Sequence, residues 1–210
     1  MSDTEMSLAL SHGVLEDSPF GIESRKLVMW LFIMADAATF GALLFGYGYL
    51  RVGSPNWVRP FPFIPTILNG MVMTVVLLTS SLTMLAAVRA AQAGGERRRE
   101  CVRWLAVTAG LGAVFAVLHL REWFNLFAEG WSPSTNPTGG PVLFGGTFFG
   151  ITGLHLLHVL CGVVAILVVA LAFKRGRLDP SHVETTGLYW HFVDLVWMFV
   201  FPLVYLMNAR

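Results

Sequence analysis

An all-α bundle of five membrane-spanning helices is predicted for this 210-residue chain on three grounds. Apolar residues make up 55% of the sequence and charged residues only 13%, against about a quarter charged in soluble domains, and the mean hydropathy is +0.65. Five apolar stretches each reach the roughly 20 residues needed to cross a bilayer. Lys and Arg also concentrate in alternate connections, the pattern left by membrane insertion. The formal net charge of +1 hides that asymmetry. Membrane lipids are expected around such a chain, and nucleic acid is not an expected partner.

The first span, 26–50, follows a polar leader, 1–24, whose "MSDTEMSLALSHGVLEDSPFGIES" has no apolar core of a cleavable signal. The first span is therefore expected to act as the insertion signal, and 25–210 to form one transmembrane domain. "RVGSPNWVRPFPFIP" closes that span, because Pro55, Pro60, Pro62 and Pro65 exclude regular helix. The second span, 66–90, ends at the basic "RAAQAGGERRRE", and the third, 103–127, ends at the Pro/Gly-rich "EGWSPSTNPTGG". The fourth, 142–173, runs into the basic "KRGRLDPSHVET", and the fifth is 187–207. Alternating sides place Arg25, Lys26, Arg89, Arg97, Arg98, Arg99, Arg103, Lys174, Arg175 and Arg177 on one face and Arg51, Arg59 and Arg210 on the other. A cytoplasmic amino terminus and an external carboxyl terminus are thus expected. Cys101 and Cys161 show no metal-ligand spacing.

Polar groups within spans mark the faces turned to protein or water. At 100° per residue, Asp36 groups with Thr39, Phe40, Leu43 and Tyr47, and Asn69 with Met73, Val76, Ser80 and Thr83. Thr108, Phe115, His119 and Glu122 share a stripe in the third span. The fourth carries Gly146, Gly150 and Gly153 on one face and His155, His158 and Gly162 on the other, the pattern of a helix between two neighbours. The fifth stacks Gly187, His191, Asp194, Met198 and Tyr205.

His191 and Asp194 can satisfy each other or a neighbouring helix, since burial in hydrocarbon demands partners. The same pair could serve a proton relay or a metal site. His155 and His158 raise the same choice, and a haem held by two of His119, His155, His158 and His191 would require ligands facing across it from different helices. Asp36 lies about ten residues into its span, roughly 15 Å deep at 1.5 Å per residue. With no basic residue within two turns, it is expected to be a neutral acid unless another helix supplies a partner. Glu122 is expected to tie to a histidine of the fourth or fifth span. A free-standing b-type cytochrome and a proton-coupled transporter using Asp36 and Glu122 remain alternatives at this level, although no repeat symmetry supports a transporter.

Four strings, "KLVMWLFIMADAATFGALLFGYGY", "LHLREWFNLF", "FGGTFFGITGLHLLHVLCG" and "YWHFVDLVWMFVFPLVYL", resemble subunit III of the haem-copper terminal oxidases in order and spacing. The resemblance covers Arg25 to Met207. It implies a bacterial inner-membrane subunit without haem, copper or an active site of its own. Such a subunit packs beside subunit I, which with other oxidase subunits carries the haem and copper, in some cases within a respiratory supercomplex. It holds phospholipid in a cleft and supports proton uptake during reduction of oxygen to water. Glu122, His155, His158, His191 and Asp194 would then be fold-defining interhelical contacts, with His119 beside them.

Two departures qualify the resemblance. The longer family form has seven helices, and this chain matches the short five-helix bacterial form, so one wall of the lipid cleft is missing or comes from another subunit. "MADAAT" places Asp36 where the family pattern has Glu, shortening the side chain by roughly 1.3 to 1.5 Å and leaving its proton-handling role open. The Asp form also resembles subunit III-like accessory proteins of nitric oxide reductases.

Overall fold

The structure, a computed structural model, describes residues 24–55, 57–139 and 142–209; the polar leader predicted for 1–24 lies outside the described residues except for Ser24. Five helices are long and apolar enough to cross a membrane. We label them α1 (Ser24–Gly53), α2 (Leu68–Gln92, entered through a π-helical turn Phe63–Ile67), α3 (Arg98–Ala128), α4 (Leu143–Lys174) and α5 (Pro180–Val200). α5 continues through Phe201–Tyr205 and Leu206–Asn208. No named strand occurs among the described residues. The predicted all-α, five-helix membrane fold is therefore the observed one.

α2, α3, α4 and α5 close a four-helix ring, each packed on the next and α5 returning to α2, while α1 lies outside on the seam of α4 and α5. Trp190, Trp197, Phe115, Phe148 and Tyr205 fill the ring's interior and are fully buried. Small residues admit them. A Cβ at Gly112 or Gly162 would fall 2.6 Å or 2.8 Å from the Trp190 ring, and one at Gly70 would overlap Phe201. α1 contributes only Ile33, Phe40 and Tyr47 as buried residues, spaced seven apart along one narrow line. Much of its apolar surface faces outward, as with Phe45, which is 78% exposed.

The connections sort by end. At one, Lys26 pairs with Glu184 at 2.9 Å, Arg25 Nη1 sits 2.9 Å from His182 Nε2, and the Arg98 guanidinium lies over the Phe173 ring. At the other, Arg51 donates to the Met207 carbonyl and the Phe61 amide to the Asn208 carbonyl, pinning the Pro-rich connection to the end of the chain. Arg25, Lys26 and Arg98 thus lie at one end of the bundle and Arg51 at the other, as their alternation predicts.

Three details differ from the helical-wheel reading. Thr39 and Leu43 of α1 and Met198 of α5 are exposed, because neighbours touch these helices along a strip narrower than the polar stripe. The glycine face of α4 is divided: Gly153 meets the Trp123 ring, Gly146 lies near the Pro133 carbonyl, and nothing lies within 4 Å of a Cβ at Gly150. Helix α5 starts at Pro180 rather than 187, with Pro in its first turn, where its missing N–H costs nothing. The polar turns that follow carry the contacts of His182 and Glu184 with α1.

Candidate functional site

The intramembrane polar residues fall into four groups, each positioned by a helix-helix contact. At the α1–α4 seam, Asp36 Oδ2 lies 3.2 Å from His158 Nε2, with Phe40 edge-on to the same imidazole. His158 Nδ1 is 2.8 Å from the Leu154 carbonyl. A carbonyl only accepts, so Nδ1 carries a hydrogen. Tyr189 of α5 donates to the His158 carbonyl at 3.0 Å, joining three helices at this point. The α1 carboxyl predicted to need a partner from another helix therefore faces one.

Inside the ring, His155 of α4 and His119 of α3 are fully buried, and neither offers a ring nitrogen to a hydrogen-bond partner. Their contacts are aromatic. Trp197 stacks on His155 at 5.2 Å and meets His119 edge-on at 5.8 Å, and Phe115 lies 5.7 Å from both. Among the described residues, no three His, Cys, Asp or Glu side chains gather at metal-binding distance.

Glu122 of α3 is 4% exposed and accepts from Asn69 Nδ2 of α2 at 3.1 Å. Its tie runs to that amide rather than to a histidine. His191 and Asp194, one turn apart on α5, both address Ser81 of α2. Ser81 Oγ and His191 Nδ1 share a hydrogen bond of 2.6 Å, and the buried Asp194 carboxyl lies beside the same hydroxyl without a well-directed bond.

The most regular polar ties come from tryptophans and Asn208, which the sequence reading left aside, meeting in part residues it placed on inward stripes, Ser80 and Tyr47. Indole N–H groups of Trp190, Trp197 and Trp123 donate to Ser80, Thr74 and Thr152 at 3.0, 3.0 and 3.2 Å. Asn208 is fully buried, accepting from Trp57 Nε1 at 2.9 Å and donating to the Tyr47 hydroxyl at 2.6 Å. A tryptophan within a span was the available signal, since a buried indole N–H requires an acceptor.

A closed ring of membrane-length helices with a fifth laid on one seam, cross-tied by buried carboxyl, imidazole and indole groups, defines a multi-pass helical membrane protein. The family model for cytochrome c oxidase subunit III matches residues 23–209, and the chain belongs to that family. It is 35% identical over 186 residues to the cytochrome bo(3) ubiquinol oxidase subunit 3 of Pseudomonas aeruginosa, covering 86% of this chain and 83% of that protein. The cytochrome c oxidase subunit 3 of Corynebacterium diphtheriae is 34% identical over 188 residues, with 87% and 82% covered. A probable quinol oxidase subunit 3 of Staphylococcus aureus is 31% identical over 189 residues, with 89% and 90% covered.

Proposed function

We propose that this haem-copper oxidase subunit III stabilises subunit I of an oxygen-reducing complex in the bacterial inner membrane, holds lipid and supports proton uptake. The observation that carries the reading is the match to subunit III over residues 23–209. It is joined by the paired Asp36 and His158 at the contact of α1 with α4. Haem and copper belong to the partner subunits, and a supercomplex is a further setting for the same role. An apolar groove of about 250 Å³ between α1 and α5, lined by Ala37, Phe40, Gly41, Leu44, Phe192 and Val196, has the apolar lining that an acyl chain requires. The basic end lies in the cytoplasm by the positive-inside rule, which puts the amino terminus there and the carboxyl terminus outside.

The test is purification of the tagged chain from its native membrane in mild detergent, followed by a reduced-minus-oxidised spectrum and oxygen and nitric oxide uptake. An oxidase spectrum with oxygen consumption is expected. Nitric oxide uptake without oxygen uptake would replace the reading with a nitric oxide reductase accessory, and haem retained by the isolated chain would replace it with a cytochrome. Asp36→Asn keeps the side chain's size, so the complex is expected to assemble in normal yield but to lose sustained turnover or bound lipid. Unchanged turnover and lipid content would remove the special role of this carboxyl.

A further inference from the structure

We propose that residues 16–23 of this chain's own leader lie back against the basic end of the bundle, with Phe20 seated in an apolar groove between α1, α4 and α5 and with Glu16 and Asp17 against the cations of the α4–α5 connection. The contact is internal to the chain, so it stands or falls apart from the subunit III reading.

The groove comes first. It has a volume of about 400 Å³ and is lined by Ser24, Arg25 and Val28 of α1, Val169 of α4 and His182 and Thr186 of α5. Its polar side chains are spent on the protein: Arg25 Nη1 sits 2.9 Å from His182 Nε2, and Thr186 donates to the His182 carbonyl at 2.8 Å. What the walls offer an occupant is apolar surface. Depth narrows the choice of occupant. α1 runs for 30 residues from Ser24, about 45 Å at 1.5 Å per residue, against a hydrocarbon layer of about 30 Å. Ser24 to Val28 therefore fall in roughly the outer 7 Å, at headgroup level, and Val169 is likewise close to the end of α4 at Lys174. Acyl chains lie deeper, so an apolar groove here suits an apolar side chain of a protein.

The chain itself supplies one. Ser24 forms part of the wall, so the preceding residues depart from the groove. Phe20, the only aromatic residue before Ser24, can reach about 14 Å from it at the maximum of about 3.6 Å per residue, and Glu16 and Asp17 about 25 to 29 Å. Charge points the same way. The leader carries Asp3, Glu5, Glu16, Asp17 and Glu23 and no Lys or Arg. Lys174 follows the groove residue Val169 by one and a half turns of helix, and Arg175 and Arg177 stand between it and His182; all three cations are exposed. Arg97, Arg98 and Arg99 continue this field across the α2–α3 connection, with the Arg98 guanidinium 5.7 Å from the Phe173 ring centroid. Glu96, Glu100 and Asp179 offset it only in part. Tethering makes the encounter intramolecular, at an effective concentration on the order of millimolar, an advantage that a separate partner of the same charge lacks.

The experiment uses the full chain in its native membrane. Phe20→benzoylphenylalanine is irradiated and the adduct mapped by mass spectrometry, with mixed isotopic labelling to separate an adduct within one chain from one between two copies. The expected result is an adduct within one chain, on the peptides carrying Val169 or His182 to Thr186. Glu16→Lys with Asp17→Lys is expected to lower its yield by about twofold to thirtyfold, the range of two exposed ion pairs. Salt at about 1 M, which shortens the screening length to about 3 Å, should act in the same direction, and Arg175→Glu with Arg177→Glu in the double variant should restore the yield. Adducts confined to lipid, a second copy or another subunit would overturn the docking. An adduct within one chain whose yield ignores both the charge reversal and salt would overturn the assignment of Glu16 and Asp17 to the basic rim.

Discussion

Gly162→Ala tests whether Trp190 is the wedge that fixes the ring. The indole is fully buried on α5 and reaches between Gly112 of α3 and Gly162 of α4, with its N–H donated to Ser80 of α2 at 3.0 Å. A methyl group at 162 would lie 2.8 Å from two ring carbons and 3.2 Å from Tyr189. Carbon contacts settle at about 3.5 to 4.0 Å, so the indole must retreat by roughly 0.7 Å or more, and the tight fit against Gly112 closes the opposite side to it. Overpacking of this kind costs about 1 to 3 kcal/mol. Straining the indole bond adds up to about 1 kcal/mol, the net worth of a hydrogen bond. A loss of about 1 to 4 kcal/mol corresponds to a fall in unfolding midpoint of roughly 2 to 16 °C for a chain of this size. Thermal unfolding of the detergent-solubilised protein, read by tryptophan fluorescence, measures it. Gly150→Ala is the control, since nothing lies within 4 Å of a Cβ there and removing a helix glycine should be neutral or stabilising by up to about 1 kcal/mol. Equal midpoints for Gly162→Ala, Gly150→Ala and wild type would refute the wedge.

Two further substitutions separate the polar groups. Asn69→Leu strips Glu122 of the 3.1 Å donor and is expected to destabilise by about 1 to 3 kcal/mol, lowering the melting midpoint and the yield of folded chain; Glu122→Gln should restore part of it in the double variant. His119→Leu is expected to be neutral or stabilising by up to about 1 kcal/mol, because neither ring nitrogen has a partner and its neighbours are Phe115, Trp123 and Trp197. A loss above about 2 kcal/mol in a melt, beyond the net worth of one ordinary hydrogen bond, would instead assign that imidazole a polar partner.

The spans were legible because length and composition alone decide what can cross a bilayer, and the two Pro-rich connections because proline forbids regular helix. Site residues were legible as a set, since a carboxyl or imidazole within an apolar run must face something. Their partners were not. Glu122 meets Asn69, and choosing that amide over a histidine requires the axial register of two helices whose residues stand 53 positions apart, which a helical wheel does not contain. Thr39 and Leu43 share an angular sector with Asp36, yet only Ile33, Phe40 and Tyr47 are buried on α1. A seven-residue spacing marks a single line of contact, a narrower pattern than the broad stripe of a helix packed in a core. The tryptophan ties were hidden for a related reason: apolar bulk placed these residues inside, while the acceptors Ser80, Thr74 and Thr152 are ordinary hydroxyls until register sets them opposite.

How α1 stays attached follows from the same contacts. Lipid tails are as apolar as the helix, so no hydrophobic force holds it to the ring, and association depends on close packing and polar ties. Polar ties hold α1 at three levels about 15 to 17 Å apart, given 1.5 Å per residue: Lys26 to Glu184 with Arg25 beside His182, Asp36 to His158, and Tyr47 to Asn208 with Arg51 on the Met207 carbonyl. The outer two lie near the ends of the helix. The middle one is different in kind, because His158 Nδ1 is already committed as a donor to the Leu154 carbonyl. Nε2 and the carboxyl oxygen at 3.2 Å would present lone pair to lone pair unless one proton lies between them, on the acid or on the ring. The contact that fastens the centre of α1 is therefore also the one where a carboxyl and an imidazole of two helices face each other. In the Asp36→Asn variant the side-chain amide would offer Nε2 a hydrogen in a side chain of the same size, so this substitution separates attachment of α1 from the acid itself.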